Sequence, residues 1–425
     1  MIKPVWNPFS RYADQQEKRV DKILKKVAFL GVFEAQRKIL DMMQANLVIL
    51  DLWLEARFKG YKYLTKSTRK RLYRNSETTA RIFLEFAAKL KLDEGAVTKE
   101  LQNLGLSRPS SPLDNEKLHF LVAIMLFLRP GAGRYEYLEG ASFGKLLVDL
   151  EKNQHLIGDC NQIVTFYTYL FSLKYEVKDL EIKILEEHVC LHFKGIDIEA
   201  TAGGFANYKK YLKILPITEL ISTNLLDVSD FRDKQIKVNP RDFLKAAQLA
   251  NHLSSERDLV THNLKVGYHN VAVESLERDD FETALFFVKT AGIDTEEDRK
   301  FQANILHNAV VSHAKKHNFT KARYYAEKSG EQELKRYVDE QEAFDLYRKD
   351  SLSRARELFS KAGNQQMVRA CYAKEYNALQ SKVAGLKTVS ALKPHRADFR
   401  KMLDLAQKME DQGLIENVRN ILNQL

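Results

Sequence analysis

Residues 181–201, EIKILEEHVCLHFKGIDIEAT, decide how the middle of this 425-residue chain is read. Apolar and polar side chains alternate through them and Lys194-Gly195 supplies a turn, so the pattern predicts strands rather than helix. The segments just before them are helical. LHFLVAIMLFL (118–128) stops at Pro130-Gly131, SFGKLLVDLEKN (142–153) follows, and a third helix opens within GDCNQIVTFY (158–167). Helices first and strands afterwards predict an α+β domain over 113–232.

On the N-terminal side, Leu40, Met43, Leu47, Leu50 and Leu54 step by three and four, the seam of a helix packed along its length. A second amphipathic helix is predicted over 77–92, with Ile82, Phe83, Phe86 and Leu90 at the same spacing. Together they predict a helical domain over 1–112, closed by the linker SRPSSP (107–112).

From about Val238 the chain repeats itself. HNVAVESLERDDFETALFFVKTAG (269–292), HNAVVSHAKKHNFTKARYYAEKSG (307–330) and EQEAFDLYRKDSLSRARELFSKAG (340–363) align without gaps, their starts 38 and 33 residues apart. Ala272, Val310 and Ala343 precede Ala284, Ala322 and Ala355, and Ala291, Ser329 and Ala362 follow. Small side chains there let paired antiparallel helices approach, with Phe281, Phe319 and Leu352 between them. The pattern resembles the tetratricopeptide repeat without its tryptophan, Leu-Gly and closing proline. Such an array over 238–425 implies a surface for a protein or peptide partner, or a scaffold for its neighbour. The expected fold is mostly α with a central α+β domain.

Composition limits the function classes. The longest apolar run, Leu121 to Leu128, is far short of the roughly 20 residues of a membrane-spanning helix. The start, MIKPVWNPFSRYADQQ, has none of the marks of a secretory signal. Three widely spaced cysteines, Cys160, Cys190 and Cys371, point to free thiols and a reducing, cytoplasmic setting. The net charge is +10, and FKGYKYLTKSTRKRLYR (58–74) holds seven basic residues and no acid. On one continuous helix Lys59, Lys62, Lys66, Arg69 and Lys70 would form a stripe. That stripe suits nucleic acid or an anionic membrane surface, and equally a solvated helix face.

Cys160 carries the sharpest chemical signal. A free thiol, with a pKa of roughly 8.5, is a poor nucleophile near neutrality, and a helix N-terminus favours its thiolate. Glycine before it permits a tight turn. A nucleophile also needs a base held in place by a third group. His188 lies on the predicted strand and Glu199 on the next, in the order Cys, His, acid.

GDC at the start of an apolar helix, His188-Val-Cys-Leu opening a strand, and Glu199-Ala-Thr on the following strand resemble the transglutaminase-like cysteine peptidase superfamily. The resemblance spans about residues 115–215 and implies a papain-like arrangement acting on an amide or ester carbonyl. Cys160 would attack, His188 would transfer the proton, and Glu199 would orient the ring. Where the family usually has Asp-Pro this chain has Glu199-Ala200, and Asp197 on the same strand face is the alternative acid. The aromatic that usually follows two residues after the histidine is replaced by Cys190. Gln154, with the Cys160 N–H, is the candidate oxyanion donor, and Asn153 or Asn161 are alternatives. The resemblance is equally compatible with a domain that no longer turns over and whose role is binding through the repeats. No cofactor is expected. A metal is not expected either: His188, Cys190 and His192 would span roughly 13 Å along a strand, too far for one ion with bonds near 2 Å.

Overall fold

The structure, a computed structural model, describes residues 11–131, 134–139, 142–153, 156–227 and 238–425. The chain is mostly helical with a small antiparallel sheet in its middle. It divides into two compact units, residues 1–271 and 272–425.

Unit 1 begins with α1 (Gln15–Val27) and α2 (Val32–Leu54), the latter running into a π-helical turn, Glu55–Lys59. Met43, Leu47, Leu50 and Leu54 of the expected seam are buried along α2. Asn46 interrupts that helix with an extended backbone, and its side-chain oxygen accepts the Ile49 N–H at 3.0 Å as an internal cap. Then come α3 (Lys66–Lys89), α4 (Glu94–Asn103) and α5 (Pro112–Leu128). Within α3, Phe83 is buried as expected while Ile82 faces solvent.

The SRPSSP segment connects α4 to α5 without helix or strand up to Ser111, and its last residue, Pro112, starts α5. Ser111 caps α5, with Pro112 in its first turn. Phe120 of α5, Phe83 of α3, Met43 of α2 and Phe166 further on share one core, which also takes in Leu249 and Leu253 from residues beyond 238. The helices placed in a separate domain over 1–112 therefore pack into the same core as residues 113–232. A long apolar seam needs a partner surface: the helix that carries Phe166 packs on α2, and α5 packs on α3.

After α5 the chain forms β1 (Tyr135–Tyr137), α6 (Phe143–Asn153) and β2 (Leu156–Gly158), with β1 and β2 paired in parallel. Then α7 (Cys160–Ser172) leads into the sheet. Its strands are β3 (Glu181–Leu185), β4 (His188–Phe193), β5 (Ile196–Glu199), β6 (Gly204–Ala206) and β7 (Lys213–Pro216), in the order β6-β5-β4-β3-β7. Lys194 and Gly195, at φ 49° and 85°, make the tight β4–β5 turn that the sequence predicts. The register sets Lys183 against Cys190 and His192 against Asp197. The two-residue alternation thus collects Lys183, His188, Cys190, His192, Asp197 and Glu199 on one face. Helices α8 (Glu219–Leu226), α9 (Pro240–Leu253) and α10 (Arg257–Glu277) complete the order up to the repeats.

Unit 2 is built of helical hairpins: α11 (Phe281–Ala291), α12 (Glu296–Lys315), α13 (Phe319–Ser329), α14 (Gln332–Arg348), α15 (Leu352–Ala362), α16 (Gln365–Val383), the short α17 (Val389–Leu392), α18 (Arg396–Met409) and α19 (Gln412–Gln424). Ala272, Ala284, Val310, Ala322, Ala343 and Ala355 are all fully buried. Ala291, Ser329 and Ala362 are half-buried, so they tolerate more than the inner positions. Asp279, His317 and Asp350 all adopt left-handed backbone at φ 59°, 55° and 60°, and they recur at the spacing of the repeats. In each case the next residue's N–H closes a bond to a carbonyl five residues back: Asp280 to Ser275, Asn318 to His313, Ser351 to Leu346. The core is segmented, with successive clusters shared by consecutive helices, the nearest-neighbour packing of a repeat array.

Candidate functional site

Cys160 is the first residue of α7 and is half-buried. Asp159 caps the helix, accepting the Asn161 and Gln162 N–H groups at 3.0 and 3.5 Å, while the Gln162 side chain accepts the Asp159 N–H at 2.9 Å. This reciprocal box holds the turn that carries the thiol. Gly158 serves a different purpose from the one expected. Its φ lies outside the left-handed range, and a Cβ there would come within 2.9 Å of Leu146 Cδ1, so glycine admits the close approach of α6.

His188 opens β4, and its Nε2 lies 2.7 Å from Glu199 Oε2. Cys160 lies against the same ring. Interaction with Cys160, then with Glu199, raises the imidazole to about 10. Burial by itself would push the Glu199 carboxyl up, but hydrogen bonds from His188, Thr201 and Tyr208 outweigh it and hold the group at about 2. Thr201 N–H and the Tyr208 hydroxyl donate at 3.1 and 2.7 Å. Cys160, His188 and Glu199 are therefore brought together.

Asp197, the alternative acid, is elsewhere. It is 1% exposed and accepts from Lys183 Nζ at 2.9 and 2.7 Å, from the Tyr208 N–H at 2.7 Å, and sits 2.7 Å from His192 Nδ1. The register pairs it with His192, two residues along the strand from the position opposite Glu199, so it serves the other histidine. Cys190 lies between the two clusters, fully buried, and burial pushes its thiol up. Among the described residues no group of three or more His, Cys, Asp and Glu side chains is arranged to hold a metal ion.

Gln154 lies outside the described residues. The Asn161 amide is turned to Asp227 at 3.4 Å. Since Asp159 takes the next two amides, the Cys160 N–H is the first-turn donor left without an acceptor among the described residues.

Sequence reasoning passed over Tyr208 as a partner of the acid. It also missed the buried charges beneath α7: Lys59, 4% exposed, faces Asp227, Glu55, Asp51 and Asp159. Glu55 in turn accepts the Phe143 and Gly144 N–H groups at 2.9 Å each, capping α6. Burial, together with Asp227, pushes Asp159 up to about 7.

The same burial overturns the expected basic stripe. Gly60, at φ 68°, and the turn after it end the helix before Lys66, so residues 59–70 share no single helix. Arg69, 6% exposed, is bound to Glu17 at 2.6 Å and lies 5.3 Å from the Trp53 ring. Only Lys62, Lys66 and Lys70 of the five reach solvent. No helix of the described residues is long and apolar enough to cross a membrane. No family model, curated protein or solved structure matches the chain.

Proposed function

We propose that the chain is a cysteine hydrolase or acyl-transferase of the transglutaminase-like type. It acts on an amide bond through Cys160, His188 and Glu199, and its tetratricopeptide-like repeats recruit the protein that bears that bond. One observation carries the reading: His188 contacts Cys160 and Glu199 together, and both hold the imidazole in its protonated form.

In this reading the Cys160 sulfur attacks the carbonyl carbon, and the Cys160 N–H faces the oxygen as negative charge develops there. The C–N bond then breaks, the His188 proton leaves with the amine, and a thioester remains on Cys160. Water or a second amine adds to the thioester, giving its proton back to His188 as the sulfur departs. Glu199, held by Thr201 and Tyr208, keeps the ring oriented through both steps.

The test is alkylation by iodoacetamide at pH 6, with each cysteine followed by mass spectrometry. Cys160 should react at least about tenfold faster in the native protein than in His188→Ala, with Glu199→Gln between them. Cys190 and Cys371, both buried, are slow internal references. Equal rates in native protein and His188→Ala would overturn the reading and leave a scaffold that acts through its repeats.

A further inference from the structure

A cavity unconnected with the cysteine chemistry lies within unit 1. Its volume is about 540 Å³, in the range of small-molecule sites, and its walls come from α1, the end of α2 with the π-helical turn, α9 and α10. Lys25, Arg57, Lys245 and Arg257 line it. Asp21 is its one lining carboxylate among the described residues, and Arg11, Tyr12 and Lys25 already hold it at 2.7, 2.6 and 2.8 Å. Lys245 is paired with Asp242 at 3.1 Å. The guanidinium groups of Arg57 and Arg257 have no carboxylate partner among the described residues.

The wall also carries aromatic and amide groups. Trp53, Phe58 and Tyr268 line the cavity with Asn251. Trp53 is 4% exposed, and its indole Nε1–H and the buried Asn251 side-chain oxygen have no partner among the described residues. The π-helical turn that brings Arg57 and Phe58 to this wall is a rare backbone form, frequent at functional sites.

We propose that this cavity binds a nucleotide. Two guanidinium groups with no carboxylate partner among the described residues, together with two lysines, match a multiply charged phosphate better than a single carboxylate. The aromatic side chains suit a planar ring. Phe58 and Tyr268 offer ring surface that a base and ribose can cover and an inorganic anion cannot.

The probe is adenosine 5′-monophosphate, titrated into the full chain by calorimetry and, in a Trp6→Phe variant, by the emission of Trp53, the tryptophan that remains. Saturable binding is expected, with a change in Trp53 emission and weakening as salt rises. Adenosine alone and inorganic phosphate alone should each bind at least about tenfold more weakly, and Arg57→Ala/Arg257→Ala should lose about tenfold or more. Both arginines are exposed, so the double variant should keep the native melting temperature, and Arg257→Glu alone provides a second reading. The proposal is overturned if the nucleotide does not bind, if inorganic phosphate binds as tightly, or if the arginine variants bind unchanged. None of these outcomes depends on Cys160.

Discussion

Lys183→Met tests whether the Asp197 cluster is a buried structural ion pair or part of the reactive set. Lys183 is 4% exposed and Asp197 1% exposed, and the ammonium bonds both carboxylate oxygens and the Tyr208 carbonyl, at 3.0 Å. It also lies 4.4 Å from the Tyr211 ring. Removing it leaves a buried carboxylate with only His192 and one backbone amide for support, and breaking such a pair costs about 3–5 kcal/mol. In a unit of this size each kcal/mol moves the melting temperature by about 2–4 °C, so the transition should fall by about 6–20 °C. Adding Asp197→Asn removes the stranded charge and should restore part of the loss, the mark of coupled neighbours.

The assay is thermal unfolding by circular dichroism at pH 7.5, with Cys160 alkylation measured on the same samples at 20 °C. Lys183→Met should be much less stable yet alkylate at the native rate while folded, because Glu199, not Asp197, contacts His188. A melting shift below about 2 °C would refute the buried-pair argument. Loss of Cys160 reactivity without loss of stability would refute the assignment of the acid.

Two further outcomes rest on named residues. His188 rises from 6.5 to about 10 on folding and Glu199 falls from 4.5 to about 2. The histidine's contribution to stability is then full below pH 6.5 and lost as pH rises through 10; the glutamate's is full above pH 4.5 and lost as pH falls through 2. Urea midpoints should show the largest gap between native protein and His188→Ala at pH 4.5–6.5, closing toward pH 10, and a gap that stays constant with pH would contradict the assigned shifts. In unit 2, Ala322→Phe overpacks a fully buried helix contact and should cost about 1–3 kcal/mol in urea unfolding, whereas half-buried Ser329→Ala should change little.

Much of the local structure was legible because it is periodic. The three-and-four spacing from Leu40 marks α2, the alternation from Glu181 marks three strands, and Lys194-Gly195 marks the turn between two of them. The repeat offsets recur in the left-handed residues Asp279, His317 and Asp350, although no glycine announces those turns. Domain limits were less legible, since a helix seam declares that it will be covered without naming its cover. Here α5 and α7 provide it, and the helices of residues 1–112 share one core with residues 113–232.

Charged and polar residues were the hardest to place. Lys59 and Arg69 read as surface cations, because nothing local distinguishes a lysine bound for solvent from one that meets Glu55 and Asp159 inside. The choice between Asp197 and Glu199 was likewise open, as both occupy one strand face and only the strand register allots one to each histidine. The sequence alone determined the principal helices, the strands β3, β4 and β5 and the order Cys160, His188, acid, because these depend on spacing along the chain. Tertiary structure decided which acid meets His188, which cations are buried and where Trp53 and Arg57 meet a common cavity, because those contacts join residues far apart in sequence and are set by packing.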